Sequence, residues 1–143
     1  MLGSLARWLR IGGYDTEYVK DSLDDYLLDQ AEEQGRILVT RDEVLAVRAR
    51  KRGVKHILLE SGSDEVALAK IASELRIIYD PTSSRCPKCN GVLSSIPKSE
   101  VEGKIPEGTY RVVNEYWRCE ECGSFYWRGS HWPRIVETLS GRE

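Results

Sequence analysis

A chain of 143 residues has room for one sizeable core, or for a small domain joined to a metal-stapled module, and two such units fit here. The formal charge of −2 excludes a global pull toward polyanions, and its distribution is even: 12 basic and 15 acidic side chains up to residue 80, and 9 and 8 beyond it. No apolar run approaches the roughly 20 residues needed to span a bilayer, and Arg7 and Arg10 interrupt the N-terminal stretch. A cytoplasmic chain with no membrane partner is expected.

In chain order, Leu2, Leu5, Ala6 and Leu9 share one face of a helix that Gly12 and Gly13 stop. Thr16 to Val19 has the composition of a short strand. Asp24, Asp25, Leu27, Leu28 and Ala31 then describe an acid-started amphipathic helix ended by Gly35. The run Arg36-Ile37-Leu38-Val39-Thr40 is a short apolar strand, followed by a helix from Glu43 to Arg52 that Gly53 terminates. Val54 to Leu59 reads as a second buried strand, Asp64 to Leu75 as a helix, and Ile77 to Tyr79 as a candidate last strand. Apolar strands alternating with helices predict an α/β domain with a parallel sheet covered on both faces. Asp80-Pro81-Thr82-Ser83-Ser84 has linker composition and divides the chain into 1–80 and 81–143.

Four cysteines lie in the second part as two matched pairs, Cys86-Pro87-Lys88-Cys89 and Cys119-Glu120-Glu121-Cys122. Two residues between the thiols of each pair let both sulfurs reach one ion, and two such knuckles complete a tetrahedron, which predicts a structural zinc ribbon. Four protein ligands leave no open position for a catalytic water. Disulfides would have to join distant turns, and a reducing compartment opposes them. Trp132-Pro133 opens a helix that runs to Leu139.

In open parallel sheets the chemistry gathers beyond the carboxyl ends of the strands. That rule selects Thr40-Arg41-Asp42 after the best strand and Asp21, Asp24 and Asp25 after the preceding one. Converging carboxylates suit Mg²⁺ or Mn²⁺, which activate water and stabilise a leaving phosphate oxygen. The same acids also suit helix capping: Asp24 and Asp42 as N-caps, Asp25 as a first-turn acid.

The motifs Met1-Leu2-Gly3-Ser4-Leu5-Ala6-Arg7-Trp8-Leu9-Arg10, Gly13-Tyr14-Asp15-Thr16, Gly35-Arg36-Ile37-Leu38-Val39-Thr40-Arg41-Asp42, both cysteine knuckles and Tyr126-Trp127-Arg128-Gly129-Ser130-His131-Trp132 come in an order that resembles the Mut-seven C-terminal ribonuclease family. The resemblance spans nearly the whole chain. It implies a PIN-like nuclease domain with a C-terminal zinc ribbon, structural Zn²⁺, catalytic Mg²⁺ or Mn²⁺, and RNA as partner, single-stranded or in structured loops. Catalytic positions carried over are Asp24, with Asp25 beside it, Arg41 as a phosphate contact, and Asp42. Members of that family usually carry a central strand with an aspartate just before the Met-Leu-Gly motif. Here the chain as written starts at the methionine, so that first strand is expected to be missing; a start codon assigned downstream of the true one is the favoured reason, with truncation, or strand exchange from a neighbouring copy in a homodimer, as the alternatives.

For RNA contacts the candidates are Arg48, Arg50, Lys51 and Arg52, then Arg128 and His131, with Tyr116, Trp117, Tyr126, Trp127 and Trp132 as stacking rings. A solvated helix face explains the basic run equally well, and Trp117 and Trp127 are expected to pack over the metal knuckles. His56 reads as a packing residue. The competing function is an inactive adaptor whose ribbon binds RNA or a protein.

Overall fold

The computed structural model describes residues 2–19 and 23–141. These form a mixed α/β fold that divides into two compact units, residues up to 6 with 17–78, and residues 7–16 with 79 onward. Helix α1, Leu2–Ile11, contributes its first turn to one unit and the rest to the other.

In the first unit, α2 (Asp24–Gln34), β1 (Leu38–Thr40), α3 (Glu43–Lys51), β2 (His56–Leu58) and α4 (Asp64–Leu75) alternate as the periodicity predicts. Strands β1 and β2 pair in parallel, Leu38 opposite His56 and Thr40 opposite Leu58, with α3 as the crossover. Leu28 and Ala31 of α2, Leu38 of β1, Leu45 and Ala49 of α3, and Val54 form one buried cluster. Burying such side chains contributes about 1.5–3 kcal/mol each for the larger ones, so α2 and α3 are held to β1 by their apolar faces. Ser63 caps α4 by accepting from the Val66 N–H.

Two expected strands do not form, and the parallel sheet of the described residues has two strands. Thr16–Val19 and Ile77–Tyr79 have strand composition, but their backbones are engaged elsewhere. The Thr16 N–H donates to Asn90 Oδ1 and its carbonyl accepts from Arg10 Nε, while the Ile77 N–H closes the end of α4 on Ala72 O. A backbone group used in a cap or clamp is lost to a ladder.

The second unit is built on a three-stranded antiparallel sheet in the order β3 (Leu93–Ile96), β4 (Tyr116–Cys119), β5 (Phe125–Tyr126). Between β3 and β4 lie a 3₁₀ turn, Lys98–Val101, and the short helix α5, Glu107–Val112. Helix α6, Trp132–Ser140, follows β5 and ends at Gly141. The largest side chain sealed inside is Tyr116, 1% exposed, whose hydroxyl donates to the Val113 carbonyl at 2.9 Å. No helix of the described residues is long and apolar enough to cross a bilayer.

Candidate functional site

The four cysteines converge as their spacing predicts. Their Sγ atoms all lie within 4.8 Å of one another, with Cys86 to Cys122 at 3.8 Å and Cys89 to Cys119 at 3.4 Å. Zinc–thiolate bonds of about 2.3 Å in a tetrahedron set sulfurs about 3.8 Å apart, so this donor set fits one Zn²⁺ with all four positions filled. Each knuckle is closed by a residue with left-handed backbone, Asn90 (φ 72°) after the first pair and Gly123 (φ 75°) after the second. The N–H groups of Glu121 and Cys122 point at Cys119 Sγ, both at 3.4 Å, and stabilise its thiolate. Gly91 is fixed by space: a Cβ there would lie 2.7 Å from Cys119 Sγ.

Surroundings divide the thiols. Burial pushes Cys89 up to about 12, whereas hydrogen bonds from Ser124 pull the exposed Cys122 down to about 6. Without a cation, packing four thiolates here is unfavourable, and a divalent ion removes that penalty. Tyr126, read from sequence only as a stacking ring, places its hydroxyl 3.0 Å from Cys86 Sγ. Trp127 instead meets Tyr116 edge-on at 6.1 Å, and Trp117 meets Arg128.

The first knuckle is also anchored to residues far away in sequence. Arg10, 8% exposed, donates to Thr16 O at 2.8 Å and to Pro87 O at 2.9 Å. Asn90 donates to Asp15 Oδ1 at 2.6 Å while its own Oδ1 takes the Thr16 N–H. These partners span more than 70 residues, and no local pattern announces them.

In the first unit, Asp42 is the N-cap of α3: its Oδ1 accepts from Val44 N at 2.9 Å and Leu45 N at 3.2 Å. Asp24 and Asp25 open α2, and both reach Arg48 on α3, Asp24 at 3.6 Å and Asp25 more closely. Arg52 pairs with Asp29 at 2.8 Å and Glu32 at 3.4 Å. Arg48 and Arg52 thus tie α3 to α2, and of the basic run Arg50 and Lys51 stand exposed. Asp21 lies outside the described residues. Among those described, the cysteines are the one group of three or more metal-ligating residues close enough to share an ion.

Arg41 leaves β1 and reaches across to the loop after β2, its Nε and Nη2 each 3.4 Å from the carbonyls of Glu60 and Gly62. It borders an open cavity of about 620 Å³ that also takes in His56, Lys70 and Glu74. Lys70 Nζ donates to Leu58 O at 2.6 Å on the outer edge of β2, and His56 Nδ1 sits 3.2 Å from Val54 O. Sequence reading had no signal for this cavity, because α4 and β2 bring its walls together. His131 is exposed at the start of α6, with no capping bond from its side chain.

An α/β unit with a parallel β-α-β core, together with a three-stranded unit whose four-cysteine donor set fits one Zn²⁺, defines a two-part protein. The Mut7-C RNAse domain family matches residues 1–139, and the chain belongs to that family. No curated protein and no solved structure matches it.

Proposed function

We propose that this protein is a metal-dependent ribonuclease, with a PIN-like α/β unit that hydrolyses RNA phosphodiester bonds and a zinc ribbon that holds the second unit's fold. The observation that carries the reading is the Thr40-Arg41-Asp42 turn at the carboxyl end of β1, in a chain matched along residues 1–139 to a ribonuclease domain family. Asp42 caps α3 through Oδ1 alone, which leaves Oδ2 to face a cation. Asp24, with Asp25 beside it, supplies the acid of the neighbouring helix start. A Mg²⁺ or Mn²⁺ ion supplies an acidified water and charge neutralisation at the phosphate. Arg41, braced by two carbonyls, holds a nonbridging phosphate oxygen.

One observation favours a second reading, a noncatalytic RNA-binding adaptor: Asp24 and Asp25 face Arg48, and no third carboxylate joins Asp42 among the described residues. Incubating single-stranded RNA with the zinc-loaded chain and Mn²⁺ separates the two. Cleavage by the wild type that Asp42→Asn abolishes supports the nuclease. Intact RNA retained on a filter by both proteins establishes the adaptor.

A further inference from the structure

Arg128 lies between β5 and α6 in the chain, and its guanidinium sits over two indole rings. Its Cζ is 5.0 Å from the ring centroid of Trp117 on β4 and 4.7 Å from that of Trp132 at the start of α6. A guanidinium is flat: its faces attract aromatic rings, and its five N–H donors lie in the plane, directed outward from the edge. Cation–π contact engages the charge and leaves the N–H edge available to bind. Among the described residues no acceptor takes it, and the residue is exposed.

Several other arginines of this unit bond differently. Arg10 and Arg85 donate to backbone carbonyls, while Arg111 and Arg118 pair with Glu107 and Glu100. Arg128 instead lies against two rings, a contact that uses none of its hydrogen bonds. A preordered fork loses little side-chain entropy on meeting a ligand with two coplanar oxygens. Phosphodiesters and carboxylates both have that geometry, and in a ribonuclease-family chain the abundant one is the RNA backbone.

We propose that Arg128, held against Trp117 and Trp132 with its N–H donors unused, is a bidentate receptor for a phosphodiester of single-stranded RNA. This rests on RNA being the substrate, and it places a backbone contact on the ribbon unit. The indoles serve to hold the fork, and their substitution should weaken binding while leaving the charge in place.

The test is fluorescence anisotropy of a labelled oligouridylate with the zinc-loaded full chain, in a KCl series without Mg²⁺ or Mn²⁺ so that no strand is cut. Arg128→Gln is expected to weaken binding about tenfold, the scale of a lost charged hydrogen-bond pair. It should also flatten the slope of log affinity against log salt by about 0.7, the value for one phosphate contact on a single strand. Arg128→Lys should recover the slope but not the affinity, because it restores the charge and not the fork. Trp132→Leu should lower affinity at unchanged slope. Zinc content and melting temperature are measured for each variant.

Wild-type affinity and slope in Arg128→Gln would overturn the proposal, as would full rescue by lysine, which would mean a point charge suffices. Binding loss accompanied by lost zinc or a collapsed melting transition in both Arg128 variants would assign the stack a structural role instead. An acidic peptide displacing the RNA at lower concentration than unlabelled RNA would assign the fork to carboxylates and overturn it too. The nuclease reading fails separately: that requires absent Mn²⁺-dependent cleavage, whatever Arg128 binds.

Discussion

The hydroxyl of Tyr126 lies 3.0 Å from the sulfur of Cys86, a fully buried member of the four-cysteine cluster. Burial, reinforced by the hydrogen bond to Cys86, raises the phenol's pKa above its ordinary value, so it stays protonated and donates to the thiolate at every working pH. Such donors stabilise metal-bound sulfur and orient it. Tyr126→Phe is expected to retain the fold, cost about 1 kcal/mol, and speed zinc loss to a chromogenic chelator. Release at the wild-type rate would show that the bond contributes nothing.

Removing zinc should unfold the second unit, because a ribbon of this size has little core beyond Tyr116, Val101 and the ligands themselves. The expected stoichiometry is one ion per chain, and stripping it should abolish the near-ultraviolet signal of Trp117, Trp127 and Trp132. Acid should do the same. Cys122 is depressed to about 6, below the ordinary thiol value, so its thiolate contribution is complete above the ordinary value and is lost as pH falls through about 6. Zinc release should therefore rise as the pH falls, because protons compete with the ion for the thiolates.

Asp42 carries a structural and a proposed chemical role that two substitutions separate. Asp42→Ala removes the acceptor for two N–H groups at the start of α3 and should cost about 1 kcal/mol. Asp42→Asn keeps an N-cap acceptor and should melt close to wild type while losing cleavage. Equal destabilisation by both would remove the cap from the account.

Arg10 joins the end of α1 to the first knuckle through buried bonds to Thr16 O and Pro87 O. Arg10→Met leaves both carbonyls without that donor and should lower stability by about 2 kcal/mol, with faster zinc release as the second readout. Thermal melts with and without chelator would check it.

The basic helix should behave as two sets. Arg48 and Arg52 face α2 acids in partly exposed pairs, so Arg48→Gln should change stability by less than about 1 kcal/mol. Their charge is already compensated, and RNA affinity should hardly respond. Arg50→Gln with Lys51→Gln removes charge that no acid pairs with among the described residues and should flatten the salt slope of RNA binding. Equal effects from both sets in the same titration would contradict this division.

Every helix of the first unit was legible in the chain, because apolar spacing, Gly35 and acid starts are local signals. The convergence of the four cysteines was legible for the same reason: two residues between thiols fix a knuckle wherever it folds. Only tertiary structure decided that Thr16–Val19 and Ile77–Tyr79 would not be strands, because a strand needs a partner, and their N–H and C=O groups were taken by Asn90, Arg10 and Ala72. Packing likewise sorted the charges. Arg48 turns to Asp24, Arg41 to two carbonyls, and Arg128 to two indoles, although in sequence all three are simply arginines. Composition fixes which chemistry a side chain can offer, but what it meets depends on chain segments distant in sequence, and folding alone brings them together.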